Sequence, residues 1–193
     1  MLVVQPCSDN VHLISSAEDV LIARDRVEYD LSSAFLRLCE GQDVLFISGP
    51  GSFTNLRVAG LVINLARRLI SSEKSLFTID KIALYALLVE REILPPQGII
   101  YIGQTKNFWL YDFVQKSYVV VGVDCVPDGA YFVDQVSDKY FADLADKKIV
   151  LSIQWDDLVV SFGGLAHHIA FADMSLQSVD IAVPEYMIEP VIG

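Results

Sequence analysis

The sequence predicts an α/β fold with mixed sheets. Short apolar runs bounded by turn residues are typical of buried strands. Longer segments with helical spacing of apolar residues lie between them. In the first half the order is three strands, then alternating helices and strands, which favours an α/β or α+β chain. The 193 residues, 53% of them hydrophobic, suffice for a core without disulfides or metals.

Three short strands open the chain, because apolar runs there alternate with polar turn residues. We expect these strands over residues 1–4, 12–15 and 19–24. The first helix is expected over residues 31–39, where Asp30 can cap its start and Gly41 follows its end.

Residues 43–70 form the central segment of the predicted fold. Residues 43–48 predict a buried strand, and Gly49-Pro50-Gly51 predict a tight turn, because glycine and proline favour special backbone angles. Ser52 or Thr54 can cap the helix that follows over residues 55–70.

The remaining elements follow from the same signals, and Pro95-Pro96 mark the expected boundary between two domains, 1–97 and 98–193. Asp80 can cap a helix that runs to about residue 91. Strands are expected over 75–79, 99–102, 108–114, 117–123 and 148–153, helices over 133–145 and 163–171, and an extended tail over 181–186.

The helix over residues 55–70 is apolar around most of its circumference, whereas a surface helix needs one apolar stripe. We expect a partner to cover the excess, and small residues would let a partner helix approach. The predicted partner surface combines this helix with residues 31–39. Its members are Leu31, Phe35, Leu38, Leu56, Ala59, Gly60, Ile63, Ala66 and Arg67.

The stretch from Gly49 to Gly60, GPGSFTNLRVAG, resembles the GPGSFTGLRIG signature of the TsaB (YeaZ) family, with Asn55 in place of a glycine. The tail Pro184-Glu185-Tyr186 also resembles the family's Pro-x-Tyr-x-Arg-x-Pro segment, without its arginine. The order βββαβαβα fits an actin-like, ribonuclease-H-like lobe. The resemblance implies a two-lobed actin-like fold whose second lobe is smaller and degenerate.

Two departures from the family bear on activity. Gln5-Pro6-Cys7 stands where the family has a strand followed by Asp-Thr-Ser, and Gly103-Gln104-Thr105 replaces Asp-Ala-Arg. In actin-like ATPases an acid at the first turn organises metal and phosphates. We therefore expect no nucleotide hydrolysis, no cofactor and no metal, and the chain is predicted not to be an enzyme.

Other chemistry is disfavoured by spacing. The glycine turn lacks the Lys-Ser/Thr of a P-loop, and its N–H groups could hold an anion, but a structural turn is the favoured interpretation. Ser52 is outside a Gly-x-Ser-x-Gly motif. His167 and His168, adjacent in a predicted helix, cannot both face one metal. Asp124, Asp128, Asp134 and Asp138 fit no calcium-loop spacing. Trp109 and Tyr111 favour core over a binding platform.

The net charge and the cysteines limit which partners and which cellular compartment we expect. The net charge of −11 argues against direct tRNA binding. Cys7, Cys39 and Cys125 suggest reduced thiols in a cytoplasmic protein. No apolar run of membrane-spanning length and no signal peptide is expected.

The resemblance implies a non-catalytic scaffold in threonylcarbamoyladenosine (t6A) modification of tRNA. Such a scaffold binds a TsaD-like catalytic subunit in an assembly joined by a TsaE-like ATPase, and meets tRNA only indirectly. The alternatives are a stand-alone homodimer that binds a small ligand between its lobes, and a weak nucleotide-binding enzyme. We expect a homodimer through residues 55–70 when the chain is alone. Ala59→Glu is expected to abolish both contacts while leaving the chain folded.

Overall fold

The computed structural model describes residues 1–70, 74–104, 107–122, 125–126, 129, 131–134, 149–155 and 158–185. The chain divides into two compact units, Met1–Lys81 with Gln177–Gly193, and Ile82–Leu176. The predicted boundary at residue 97 thus falls inside the second unit. The predicted second domain also loses its last residues to the first unit, because a C-terminal strand returns to the first sheet.

The described elements form an α/β chain with mixed sheets, as the sequence predicts. The strands are β1 (Leu2–Gln5), β2 (Val11–Ile14), β3 (Asp19–Ile22), β4 (Val44–Ile47), β5 (Leu76–Ile79), β6 (Gln97–Tyr101), β7 (Asn107–Asp112), β8 (Ser117–Gly122), β9 (Phe132–Val133), β10 (Ile149–Val150), β11 (Ser152–Gln154), β12 (Val159–Phe162), β13 (Leu165–His168) and β14 (Gln177–Ser178). The helices are α1 (Val27–Leu38), α2 (Phe53–Leu69) and α3 (Lys81–Glu90).

The first unit is built on a six-stranded sheet in the order β14-β5-β4-β1-β2-β3. Strand β4 is parallel to β1 and β5, while β2, β3 and β14 pair antiparallel. All four residues of β1 and of β4 are buried, as expected of central strands covered on both faces. Helices α1 and α2 pack against each other.

Helix α1 starts four residues before its predicted first residue, at Val27. Asp30 therefore lies inside the helix and caps nothing; its carboxylate instead pairs with the guanidinium of Arg26 one turn earlier, at 2.9 Å. An i, i+4 ion pair of this kind supports the first turn of the helix.

The second unit contains a five-stranded sheet, β10-β9-β6-β7-β8, and a three-stranded sheet, β11-β12-β13. Its core gathers Ile99, Tyr101, Phe108, Tyr131 and Val133. Buried Asp134 accepts hydrogen bonds from the Tyr85 hydroxyl and, at 3.0 Å, from the Tyr101 N–H. The carboxylate thereby links α3 to the sheet.

In the second half, one predicted element is wrong and another holds only in part. Residues 165–168 form a strand of a β12–β13 hairpin, because Gly163 and Gly164 both adopt positive φ and turn the chain. The predicted strand 148–153 is split between two sheets, as β10 and β11. The stretch 133–145 is expected to contain a helix; its first residue belongs to strand β9, and residues 135–145 lie outside the described residues.

Candidate functional site: the glycine turn, helix α2 and the C-terminal strap

The turn between β4 and α2 lies against the loop that follows β1. A Cβ on Gly51 would lie 2.2 Å from the Cys7 carbonyl oxygen and 2.4 Å from the Cys7 Cα. The Ser52 N–H donates to the same carbonyl at 3.2 Å. Only glycine leaves room for this approach, so the second glycine of the signature is required by packing.

The first glycine is covered from another direction. Gly49 has φ +143°, and a Cβ there would lie 2.5 Å from the Glu185 carbonyl oxygen. The Glu185 N–H donates to the Ser48 carbonyl at 2.7 Å, and the Lys81 N–H donates to Gly49 at 2.7 Å. The peptide bond between Gly49 and Pro50 is cis. We call residues 179–185 the strap, because they run along this turn and along α2.

The predicted caps of α2 are wrong. Ser52 occupies the cap position but makes no side-chain capping hydrogen bond, and Thr54 lies inside the helix. Asn55, in the first turn of the helix, is fully buried. Its Nδ2 donates to the Ser8 and Asp9 carbonyls at 2.9 and 3.0 Å. The residue that departs from the family signature therefore fixes the β1–β2 loop to the start of α2.

The strap packs directly on α2. Asn64 Oδ1 accepts the Ala182 N–H at 2.8 Å, and its Nδ2 donates to the Ala182 carbonyl at 3.0 Å. A Cβ on Gly60 would lie 3.1 Å from Pro184 Cγ. The small residue expected to admit a partner helix thus accommodates the chain's own strap.

Most of the predicted partner surface is buried inside the chain. The buried members are Leu31, Phe35, Leu38, Leu56, Ala59, Gly60, Ile63 and Ala66. Arg67 is half-buried and donates to the Lys74 carbonyl at 2.7 Å. These residues face the chain's own core because α1, α2 and the strap pack together, so they cannot contact a partner in this structure.

The opposite side of α2 is the exposed one. Leu61, Leu65 and Leu69 are 57%, 50% and 78% exposed, and Val58 and Val62 beside them are half-buried. At about 100° per residue these five side chains fall within one stripe of about 100°. We call them the outer stripe. Helix α2 therefore has two apolar sides, of which the chain's own core covers one.

Two exposed arginines of α2 lie beside the outer stripe. Arg57 and Arg68 are exposed, and among the described residues neither guanidinium group forms an ion pair or a hydrogen bond. A groove of about 380 Å³ runs between α2 and the strap. Its walls are formed by Leu61, Asn64, Leu65, Arg67, Arg68, Asp180 and Ile181.

The loop after β1, where the family resemblance calls for an acid, carries no carboxylate before Asp9. Gln5 and Cys7 are buried, and the Cys7 Sγ donates to the Ile47 carbonyl at 3.6 Å. His167 and His168 lie on a strand, so they point to opposite faces. Within the described ranges no three His, Cys, Asp or Glu residues are close enough to hold a metal.

The aromatic residues of β7 and β8 form a stack. Trp109 is buried, as the sequence analysis favoured, and its ring lies 4.1 Å from the ring of Tyr118. Tyr111 is half-buried. The aromatics therefore stabilise this strand pair by offset stacking.

These observations define an α/β protein with mixed sheets, in which one helix presents a second apolar side to solvent. No helix in the described part of the chain combines the length and apolarity that crossing a membrane requires.

No family model matches the chain, and no curated protein matches it. Among solved structures, an uncharacterized protein described as similar to peptidase YeaZ, from Pseudomonas aeruginosa, aligns with a TM-score of 0.38 at 15% identity over 69% of this chain and 74% of that chain. YeaZ from Pseudomonas aeruginosa aligns with a TM-score of 0.37 at 15% identity, over 68% and 73%. At these TM-scores the likeness by itself decides neither the family nor the function.

Proposed function

We propose that the chain is a non-catalytic scaffold subunit of TsaB type, which binds a TsaD-like catalytic subunit through the outer stripe of α2. The observation that carries the proposal is the second, exposed apolar side of this helix. The GPGSFTNLRVAG signature, which resembles the TsaB family, supports the choice of partner.

The outer stripe is costly for a monomer. Exposed apolar surface costs about 25 cal/mol per Å² in water, and contiguous exposed patches commonly mark interaction sites. The opposite side of α2 already contacts the core, α1 and the strap, so the fold does not need the outer stripe. A contact with another chain explains its composition.

The rest of the proposed role follows the resemblance. A TsaD-like subunit transfers the threonylcarbamoyl group to tRNA, and a TsaE-like ATPase joins the assembly. Our chain supplies no acid at the first turn and carries a net charge of −11. We therefore propose that it hydrolyses no nucleotide and reaches tRNA only through its partner.

The test is a matched pair of substitutions. Leu65→Asp places a carboxylate in the outer stripe, where a contact of micromolar affinity, about −8 kcal/mol, should be lost or greatly weakened. Because Leu65 is half exposed, the free energy of unfolding should change by about 1 kcal/mol or less. Leu165→Asp, at an exposed leucine of β13, is the control and should leave binding intact. Urea unfolding gives the free energy of unfolding of each variant, and titration with the TsaD-like subunit of the same cell gives its affinity for the partner.

The same variants test self-association. We propose that the chain alone forms a homodimer through the outer stripe, which Leu65→Asp should abolish. Light scattering at micromolar concentration that shows only a 21.4 kDa species for the unaltered chain would contradict the homodimer. Full binding of the partner by Leu65→Asp would move the contact to another surface.

The expectation for Ala59→Glu changes with the structure. Ala59 is 1% exposed, so the new carboxylate would be buried against the chain's own core. An unpaired buried charge costs several kcal/mol. This variant should unfold the chain, and it no longer tests the contact with a partner.

A further inference from the structure

Helix α2 carries a positive charge, whereas the chain as a whole is negative. Three arginines and no aspartate or glutamate lie between Phe53 and Leu69, while the whole chain has a net charge of −11. Arg57 and Arg68 point into solvent without a partner among the described residues. The outer stripe is therefore an apolar surface with a basic flank on an acidic protein.

The two exposed arginines lie on the same flank. They are eleven residues apart, which is about three turns and about 16 Å along the helix. At about 100° per residue they project within about 20° of each other, next to Leu61. Arg67 projects to another side and is held by the Lys74 carbonyl. A partner therefore meets two guanidinium groups in one line beside the stripe.

The spacing of the stripe indicates the shape of the occupant. Val58, Val62, Leu65 and Leu69 follow steps of four, three and four residues, which is the spacing of a coiled-coil seam. A seam of this kind is matched by the apolar side of another helix. The groove beside it lies between the outer stripe and Ile181 of the strap.

We propose, resting on the proposed function, that the occupant is an amphipathic helix of another protein that carries carboxylates about three turns apart along one flank. These carboxylates would pair with Arg57 and Arg68 while the apolar residues of the partner pack on the outer stripe. Complementary charges across an interface give specificity and speed association.

A second copy of this chain is the poorer occupant. Helix α2 has no carboxylate, so any pairing of α2 with α2 leaves Arg57 and Arg68 opposite neutral or like-charged groups. Asp180 of the strap lines the same groove, yet in the described structure it forms no ion pair with either arginine. Self-association through this surface should therefore be the weaker contact.

The experiment uses two synthetic helical peptides with the same leucine seam, one flanked by glutamates and the other by lysines. The full chain should bind the glutamate peptide about tenfold more tightly at about 0.05 M salt, and the preference should largely vanish at about 0.5 M. The Arg57→Gln/Arg68→Gln double variant should lose the preference. The Arg24→Gln/Lys116→Gln double variant, with the same net charge change at exposed sites, should keep it.

Two outcomes would overturn the inference. One is equal binding of the two peptides, or binding of neither. The other is weaker self-association of the Arg57→Gln/Arg68→Gln variant in sedimentation. If the two arginines face neutral or like-charged groups when two copies pair, their removal should leave self-association unchanged or make it stronger. If the glutamate peptide binds but the TsaD-like subunit does not, the proposed function fails and this inference stands. If the TsaD-like subunit binds the unaltered chain and the Arg57→Gln/Arg68→Gln variant with the same affinity, the proposed function stands and this inference fails.

Discussion

Gly51 shows how one residue type is imposed by a neighbouring backbone. Alanine at this position would place its Cβ 2.2 Å from the Cys7 carbonyl oxygen, a distance at which the backbone must shift. Overpacking of this kind costs about 1–3 kcal/mol or more. We therefore expect Gly51→Ala to lower the free energy of unfolding by at least about 3 kcal/mol, measured by urea unfolding.

The control for this substitution is Gly41→Ala. Gly41 has φ +69° and no heavy atom within 4 Å of its ideal Cβ, so alanine there meets only backbone strain of about 1–2 kcal/mol. If the two variants lose equal stability, the approach of the Cys7 loop is not what requires Gly51.

Individual residues also mark the limit of the sequence analysis. The turn at Gly49-Pro50-Gly51 was predictable because glycine and proline act locally. The role of Asn55 was not, because its amide bonds to carbonyls at Ser8 and Asp9, more than forty residues away along the chain. A buried amide with distant partners leaves no local signal in the sequence.

At the scale of elements, the turn between β7 and β8 is the clearest case of pH dependence. Asp112 accepts hydrogen bonds from the Gln115 N–H at 2.9 Å, the Gln97 amide at 2.9 Å and the Val114 N–H at 3.0 Å. These bonds, that of Gln115 foremost, lower the pKa of the Asp112 carboxyl. They stabilise the ionised form, which can only accept.

The sign of the effect follows from the lowered pKa. The Asp112 carboxylate binds a proton less readily in the folded chain than in the unfolded chain. Its contribution to the free energy of unfolding is therefore complete above the ordinary aspartate pKa of about 3.9. It is lost as the pH falls through the lower pKa of the folded state. Urea midpoints measured between about pH 6 and pH 3 should therefore decline less for Asp112→Asn than for the unaltered chain. Parallel declines would contradict the assignment.

Elements were predicted well where one pattern dominated and badly where two competed. Strand β4 and helix α2 follow one another as expected. The sequence predicts a helix over Leu165–His168 where the structure has a strand, because a short apolar run does not distinguish helix from strand. Gly163 and Gly164 were the signal for a hairpin. The side of α2 that faces solvent was not predictable, because apolar residues surround the helix.

At the scale of the whole molecule, the strap joins distant parts of the chain. Asn64 and Ala182 are 118 positions apart and exchange two hydrogen bonds. Asn64→Ala removes both and leaves the Ala182 N–H and carbonyl without these partners, at a cost of about 1–3 kcal/mol. We expect faster hydrogen exchange at residues 179–185 in this variant.

Asn107→Ala serves as the control, because it removes a single exposed hydrogen bond to Gln104. Its stability should change by about 0.5 kcal/mol or less. Unchanged exchange of the strap in Asn64→Ala would show that Pro184 and Glu185 hold the strap without the amide.

The position of the strap in the sequence also determines when the first unit can complete its folding during synthesis. A ribosome releases the chain from its first residue onward, and domains generally fold as they emerge. Strands β1 to β5 are complete by Ile79, yet β14 begins at Gln177. Throughout the synthesis of the ninety-odd residues between them, the strap does not yet cover Gly49 and Gly60, and β5 pairs with β4 but lacks its outer neighbour β14. The nascent first unit therefore keeps one edge of its sheet and one side of α2 uncovered until residues 177–185 have been made.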